Sequence, residues 1–132
     1  MKMNQVCYYK SINFIGKVMF LVVLALPRFD ELGNEIFSEK FGVFPFVTQE
    51  AAKRSSVNRP AGIMETKRMT GVKRETIKSY MVEKLIPAIK EKWPVEDIDC
   101  PILIQQDNAR THIDVNDVEF HQAAQKMVLI YI

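Results

Sequence analysis

The sequence predicts an α/β fold with a mixed sheet, an N-terminal hairpin, a long amphipathic helix and a strand ending at Asp107. Two apolar runs separated by turn residues lie near the start of the chain, at residues 18–26 and 41–48. A helical spacing of apolar residues covers 73–93, and a short apolar run over 101–106 stops at Asp107. The resulting order is strand–strand–helix–strand–helix–strand.

Length and composition indicate one globular domain covering residues 1–132. Hydrophobic residues make up 48% of the chain and charged residues 26%, as in ordinary soluble proteins. Cys7 and Cys100 belong to no CxxC pair and to no Cys/His pair at metal-binding spacing. We therefore expect a reduced intracellular chain that is not secreted.

The first apolar run, Val18–Leu26, resembles either a signal peptide or a buried strand. It has nine residues before Pro27, which is too short to span a membrane, and no small-x-small cleavage site follows it. Its β-branched and aromatic residues favour a strand that is apolar on both faces and lies inside the sheet. A turn at Asp30–Asn34, with Gly33 available for positive φ, leads to the second strand. That strand contains Pro45, so we expect it at an edge of the sheet.

A basic loop is predicted at about residues 50–72, where the chain is polar and is interrupted by Pro60 and Gly62. Residues 51–75 contain seven basic and two acidic side chains, a net charge of +5. Such a loop can contact a polyanion, or it can be a solvated flexible segment. The candidate residues for such a contact, with DNA as the polyanion if the family resemblance described below holds, are Lys53, Arg54, Arg59, Lys67, Arg68, Lys73 and Arg74.

A helix is predicted from about Lys73 to Trp93, with a kink or a break at Pro87. Its apolar residues recur at spacings of three and four and define one face, which consists of Ile77, Tyr80, Met81, Leu85, Ala88 and Ile89. After the strand that ends at Asp107, a short helix is expected to begin at Asp114 or Asn116 as the N-cap. The run MVLIYI predicts a last strand.

Asp107 is the leading candidate for a functional residue because it follows an apolar strand. Functional groups collect at the carboxyl ends of strands in open α/β sheets, and Mg²⁺ binds carboxylate oxygens. Two such ions activate a water and stabilise the leaving oxygen of a phosphodiester. Asn108 and His112 are candidates for supporting the carboxylate or orienting a phosphate. The alternative, that Asp107 caps the following turn, is favoured by the residues alone.

Four segments together resemble the plant mariner-like transposases of the DDE/D superfamily. They are KVMFLVVLALPRFDELGNEIF, GVFPFVTQE, KRETIKSYMVEKLIPAIKEKWP and ILIQQDNARTH, and the resemblance runs from about Lys10 to Lys126. It implies a ribonuclease H-like fold in which three carboxylates hold two Mg²⁺ or Mn²⁺ ions and cut DNA at transposon ends. It makes Asp107 the second of these carboxylates, and thus a catalytic residue and metal ligand. Transposon-end DNA and a full-length transposase are the implied partners, and the nucleus is the implied location.

The chain departs from this family pattern at both ends. No acidic residue precedes Asp30, so the first carboxylate is absent, and the carboxylates after Asp107 follow it too closely to be the third. We therefore expect a transposase-core fragment without activity of its own. The alternative is an interaction module that binds DNA or a transposase without catalysis. In the family, a central strand carries the first carboxylate. Here we expect that residues 3–9 replace this strand, that the hairpin and the strand before Asp107 pair directly, or that the fold is only marginally stable.

Overall fold

The computed structural model describes residues 16–38, 40–97, 99–125 and 127–131. The chain forms two compact units. The described part of the first unit is residues 16–19 and 47–69, and the second comprises 20–46 and the chain from 70 onward. The strands are β1 (Phe20–Leu24), β2 (Arg28–Phe29), β3 (Glu35–Phe37), β4 (Lys40–Pro45), β5 (Val47–Ala51), β6 (Met64–Arg68), β7 (Ile102–Gln106) and β8 (Met127–Tyr131). The α-helices are α1 (Arg74–Tyr80), α2 (Ile86–Lys92) and α3 (Val118–Ala124).

The predicted N-terminal hairpin is confirmed in the second unit. Strand β1 pairs antiparallel with β4, with Val22 opposite Val43, and the short pair β2–β3 continues towards the turn. In that turn the Asp30 carboxylate accepts hydrogen bonds from the backbone N–H groups of Leu32 and Asn34, at 2.9 and 2.8 Å. Gly33 adopts φ +82°, a conformation that side-chain-bearing residues rarely adopt.

The predicted long helix is also confirmed, and it continues through Pro87 without a break. Helices α1 and α2 are joined by a π-helical turn at Met81–Leu85, in which the Ile86 N–H donates to the carbonyl of Met81, five residues earlier. A proline has no N–H and its ring crowds the carbonyl four residues before it, so the wider turn just before Pro87 accommodates the residue. We call the whole element Arg74–Lys92 the central helix.

The central helix supplies most of the buried core of the second unit. Its predicted apolar face is buried except for Ala88, which is half-buried, and Leu85 is only 1% exposed. Phe46 packs against Tyr80, whose hydroxyl donates to the Pro45 carbonyl at 3.1 Å. The buried residues of this unit are Phe37, Phe41, Phe46, Ile77, Tyr80, Met81, Leu85, Ile86, Ile89, Ile113, Phe120, Ala124 and Met127.

The predicted strand before Asp107 is β7, and the predicted last strand is β8, which pairs with β7 in parallel. Helix α3 connects the two strands. The predicted N-cap was wrong: Asp117 is the N-cap, and its carboxylate accepts a hydrogen bond from the Phe120 N–H at 2.9 Å. Asp114 instead caps the preceding turn by accepting from the Asn116 N–H at 2.8 Å.

The loop predicted at 50–72 is shorter in the structure, because β5 extends to Ala51 and β6 covers Met64–Arg68, which leaves 52–63 as the connecting segment of a β-hairpin in the first unit. Strands β5 and β6 pair antiparallel over their full lengths. The connecting segment is closed by backbone hydrogen bonds between Ala52 and Ile63 and between Gly62 and Ala52, both at 2.8 Å. Gly62 adopts φ +87° at this closure.

The expected mixed sheet is not formed as one sheet within the described ranges. The described strands make four two-stranded pairs, three antiparallel and one parallel. Within the described ranges, β1 pairs with β4 alone, and Phe20 and Leu24 are 54% and 62% exposed, so the interior position predicted for β1 stays a prediction. Strand β4, which contains Pro45, likewise has one neighbour among the described strands, as expected of an edge strand with a proline. The suggestion that residues 3–9 form a central strand lies outside the described residues.

We predict that Leu85→Ala lowers the free energy of unfolding of the second unit by about 2–5 kcal/mol, because it removes a buried side chain and leaves a cavity. Leu32→Ala is the matched control, since Leu32 is 87% exposed and should change stability by less than about 0.5 kcal/mol. Urea denaturation followed by circular dichroism measures both. Equal effects of the two substitutions would contradict the packing described.

Candidate functional site

Asp107 lies immediately after β7, at the start of a tight turn. Its Oδ1 accepts a hydrogen bond from the Ala109 N–H at 3.1 Å. The Nδ1 atom of His112 lies 2.9 Å from that Oδ1 and 2.9 Å from the Asp107 carbonyl oxygen. The turn is closed by the His112 N–H, which donates to the Ala109 carbonyl at 2.9 Å. In this structure Asp107 therefore caps its turn, as one of the two interpretations of the sequence expected.

Three anchors hold the Asp107 turn against the second unit. Gln106 donates from its side-chain amide to the Ile113 carbonyl at 2.8 Å, and the Ile113 side chain is fully buried. Arg74, at the start of the central helix, donates to the carbonyl of Arg110 at 2.8 Å. The turn is thus fixed on both sides while the Asp107 carboxylate remains 75% exposed.

The residues around Asp107 do not fit a two-ion metal centre. The donors that the turn brings together are the carboxylate of Asp107 and the imidazole of His112. No group of three or more His, Cys, Asp or Glu side chains suited to a metal ion occurs within the described ranges. Asn108 is exposed beside the carboxylate. Because two-ion sites need several carboxylate oxygens, this donor set is insufficient for one.

The carboxylates that follow Asp107 are engaged elsewhere. The ammonium group of Lys78 lies 2.9 Å from Asp117 and 2.7 Å from Glu119, which connects the central helix to the start of α3. The hydrogen bonds that Lys78 donates to Glu119 and then to Asp117 raise the pKa of Lys78. Burial acts to raise the pKa of Asp117, but the hydrogen bond from the Phe120 N–H and the nearby Lys78 outweigh it and hold this pKa below its ordinary value. Asp117 and Glu119 are thus held by Lys78 at the start of α3.

The predicted basic residues are divided between the two units. Lys53, Arg54, Arg59, Lys67 and Arg68 lie in the first unit, and Lys73 and Arg74 begin the central helix in the second. Within the first unit, Arg59 pairs with Glu65, and Lys67 pairs with Glu50 at 3.0 Å. The hydrogen bond from Lys67 lowers the pKa of Glu50. Three other candidate basic residues of the first unit are exposed and make no ion pair with a described residue. They are Lys53, Arg54 and Arg68.

The sequence analysis missed a cavity that the described residues of the second unit enclose. It measures about 1230 Å³ and is lined by β1, β7 and the buried face of the central helix. The signal that could have identified it is the apolar character of both faces of β1, which requires more covering than one neighbouring strand provides.

Comparison of the chain with protein-family models, with curated proteins and with solved structures finds no match. Among the described residues, no helix combines the length and the apolar character that crossing a membrane requires.

We predict that Asp117→Asn reduces the loss of stability on acidification. The pKa of Asp117 is lowered on folding, so its charge stabilises the native state above pH 3.8, and this contribution disappears as the pH falls through the lowered pKa. Asparagine keeps the N-cap oxygen but has no charge to lose. Urea titrations between pH 2 and pH 7 should show a shallower decline for the variant.

The control for that prediction is Glu119→Gln, which removes a partner of Lys78 whose side chain is 66% exposed. An exposed ion pair contributes about 0–1 kcal/mol, so the acid dependence should stay close to that of the unmodified chain. If Glu119→Gln flattened the decline of stability at low pH more than Asp117→Asn does, the assignment of this decline to the charge of Asp117 would be contradicted.

Proposed function

We propose that this chain is a fragment of a mariner-like transposase core with ribonuclease H-like ancestry, and that it binds DNA without cleaving it. The observation that carries the proposal is the QQDNARTH stretch, which follows the helix with its Tyr80, Leu85 and Pro87. The positions of these elements are compatible with the proposal, since β7 ends immediately before Asp107 and the central helix precedes it. In the family this aspartate is the second carboxylate of a metal site.

The proposed absence of cleavage follows from the donor set around Asp107. Mg²⁺ or Mn²⁺ would bind Asp107 in the family arrangement, but one carboxylate and His112 are too few donors for two ions. No catalytic step is therefore assigned to this chain, and Asp107 and His112 act as turn residues.

The proposed DNA contact lies in the first unit. Its described residues include six basic and two acidic side chains, a net charge of +4. Lys53 and Arg54 follow β5 directly, and Arg68 ends β6. Basic groups that make no internal ion pair can neutralise DNA phosphates and release counterions, which gives affinity without sequence selectivity.

A second candidate function is an interaction module that binds a full-length transposase. The apolar side chains exposed on β1 favour it, since Phe20, Val22 and Leu24 are each more than half exposed. Exposed contiguous apolar side chains commonly mark protein interaction sites.

We predict that the triple variant Lys53→Gln, Arg54→Gln, Arg68→Gln weakens DNA binding and reduces its salt dependence. Each lost phosphate contact lowers the slope of log Kobs against log salt by about 0.9, so the slope should fall by about 2 to 3. Fluorescence anisotropy with a labelled DNA duplex at several salt concentrations measures the slope.

The matched control neutralises three lysines of the central helix, Lys84→Gln, Lys90→Gln and Lys92→Gln, and so changes the net charge equally. For this control variant, the slope of log Kobs against log salt should remain within about 1 of the slope for the unmodified chain. An equal fall in both triple variants would show that total charge alone governs binding. A flat salt dependence of the unmodified chain would contradict the proposed DNA contact itself.

We further predict no Mg²⁺- or Mn²⁺-dependent cleavage of transposon-end DNA beyond the level given by Asp107→Ala. We expect this because one carboxylate and one imidazole at the Asp107 turn are too few donors to hold the two metal ions that cleavage requires. Gel analysis of supercoiled and linear DNA checks the result, with Asp114→Ala as a control for a neighbouring carboxylate. Cleavage that Asp107→Ala abolishes and Asp114→Ala preserves would show an active metal site and overturn the proposed loss of catalysis.

A further inference from the structure

A basic pair followed at a fixed spacing by a hydroxyl residue recurs along the chain. The three copies of this Lys-Arg-x-Ser/Thr pattern are 53–56, 67–70 and 73–76, and they end at Ser56, Thr70 and Thr76. Protein kinases that select basic substrates recognise cations placed before the acceptor hydroxyl. Such a kinase must hold both cations and the hydroxyl in its cleft, which requires an accessible segment whose backbone can be reshaped. The structure distinguishes the three copies on this criterion.

The copy at 73–76 is protected by the central helix. Thr76 lies in the first turn of this helix and is half-buried. Arg74 donates a hydrogen bond to the carbonyl of Arg110 at 2.8 Å. Unwinding the turn would expose Ile77, which belongs to the core and is 5% exposed. Access to the Thr76 hydroxyl therefore requires partial loss of the packed core.

The copy at 67–70 is held by the β5–β6 ladder. Thr70 is exposed, but both cations lie in β6, where Lys67 is paired with Thr48 and Arg68 with Val47. The Lys67 ammonium also lies 3.0 Å from the Glu50 carboxylate. A kinase that takes up both cations would have to separate the end of β6 from β5.

The copy at 53–56 is accessible in the connecting segment of the same hairpin. Lys53, Arg54 and Ser56 are all exposed. Ser56 begins a two-residue turn: its N–H donates to the Arg59 carbonyl at 2.7 Å, and the Arg59 N–H donates back at 3.1 Å. Val57, within this turn, is fully exposed, so opening the turn removes no side chain from the core. Exposed loop tips of this kind are where enzymes most readily act on a folded chain.

The two adjacent serines of this segment differ in their contacts. The Ser55 Oγ accepts a hydrogen bond from the Ala61 N–H at 3.0 Å, which links the two sides of the connecting segment. The Ser56 hydroxyl has no hydrogen-bond partner among the described residues. Ser56 is also the serine that follows Lys53 and Arg54 at the spacing of the pattern. It is therefore the acceptor that the geometry favours.

We propose that Ser56 is a phosphorylation site for a protein kinase that selects basic residues, and that the phosphate weakens the contact of the first unit with DNA. The Ser56 Oγ forms a bond to the γ-phosphorus of a nucleoside triphosphate, its proton passes to the catalytic aspartate of the kinase, and the nucleoside diphosphate leaves. The effect on DNA rests on the proposed function, whereas the assignment of the acceptor does not.

The expected effect on DNA follows from charge. The described residues of the first unit carry a net charge of +4, and a phosphate carries about −1.5 to −2 at pH 7, so the net charge falls to about +2. The phosphate lies close in sequence to Lys53 and Arg54 and opposite Arg59 in the turn. It pairs with cations that would otherwise contact DNA phosphates, and it repels those phosphates.

The first experiment treats the full chain with magnesium ATP and cyclic AMP-dependent protein kinase, and maps phosphate by fragment mass spectrometry. Ser56 should be modified at least about tenfold faster than Thr70 or Thr76. Ser56→Thr should keep this order, which removes the difference between serine and threonine acceptors, and Ser56→Ala should lose the phosphate. Phosphate chiefly on Ser55, Thr70 or Thr76 would overturn the proposal, as would none on Ser56.

The matched variants are Arg54→Gln and Arg68→Gln, which remove the same charge from the same unit. Arg54→Gln should slow phosphorylation of Ser56 at least about tenfold, because it removes a cation of the recognised pattern, whereas Arg68→Gln should change it by less than about twofold. Circular dichroism checks that both variants are folded. Equal slowing by both would show that the kinase responds to total charge and would overturn the assignment to 53–56.

The second experiment compares DNA binding of the phosphorylated and unmodified chains by fluorescence anisotropy at several salt concentrations. Phosphorylation should weaken binding at least about tenfold and lower the slope of log Kobs against log salt by about 1 to 2. Kinase-treated Ser56→Ala should bind like the unmodified chain. Equal affinity with and without phosphate on Ser56 would overturn the proposed regulation. If Ser56 is phosphorylated but no form of the chain binds DNA, the proposed DNA contact and its regulation fail while the acceptor assignment is supported.

Discussion

The buried face of the central helix is the constraint on which the second unit depends. Leu85, Ile86 and Ile89 are at most 3% exposed, and the strands and α3 pack around them. Burying a large aliphatic side chain contributes about 1.5–3 kcal/mol, more than any exposed ion pair of the molecule can. The π-helical turn keeps this face continuous past Pro87, so a residue that normally interrupts a helix leaves the core intact.

The parts of the fold that the sequence predicted are those with a clear apolar period. The central helix, β7 and the β1–β4 hairpin have such a period, and all three are present. The β5–β6 hairpin has none, because its cross-strand contacts are polar: Gln49 donates to Thr66 at 2.7 Å and Lys67 to Glu50 at 3.0 Å. A hydrophobic pattern cannot reveal a hairpin whose strands are held by backbone and polar side-chain hydrogen bonds.

Strand β1 shows the limit of a pattern-based prediction. Its apolar residues on both faces predict an interior strand, and among the described strands it has one neighbour, β4. The pattern correctly indicated how much covering the strand requires, but it could not indicate which segment provides that covering. Among the described residues, β1 and β7 line the same cavity as the buried face of the central helix.

Asp107 shows why a residue type in a familiar context does not by itself define a site. The carboxylate is held by the Ala109 N–H and lies beside His112, so local hydrogen bonds are sufficient to explain its position after β7. A metal site would need further carboxylates, but Asp117 and Glu119 are held by Lys78. Moving either to Asp107 would break an ion pair and, for Asp117, the N-cap of α3. The contacts that stabilise the short helix therefore oppose assembly of a carboxylate cluster at this turn.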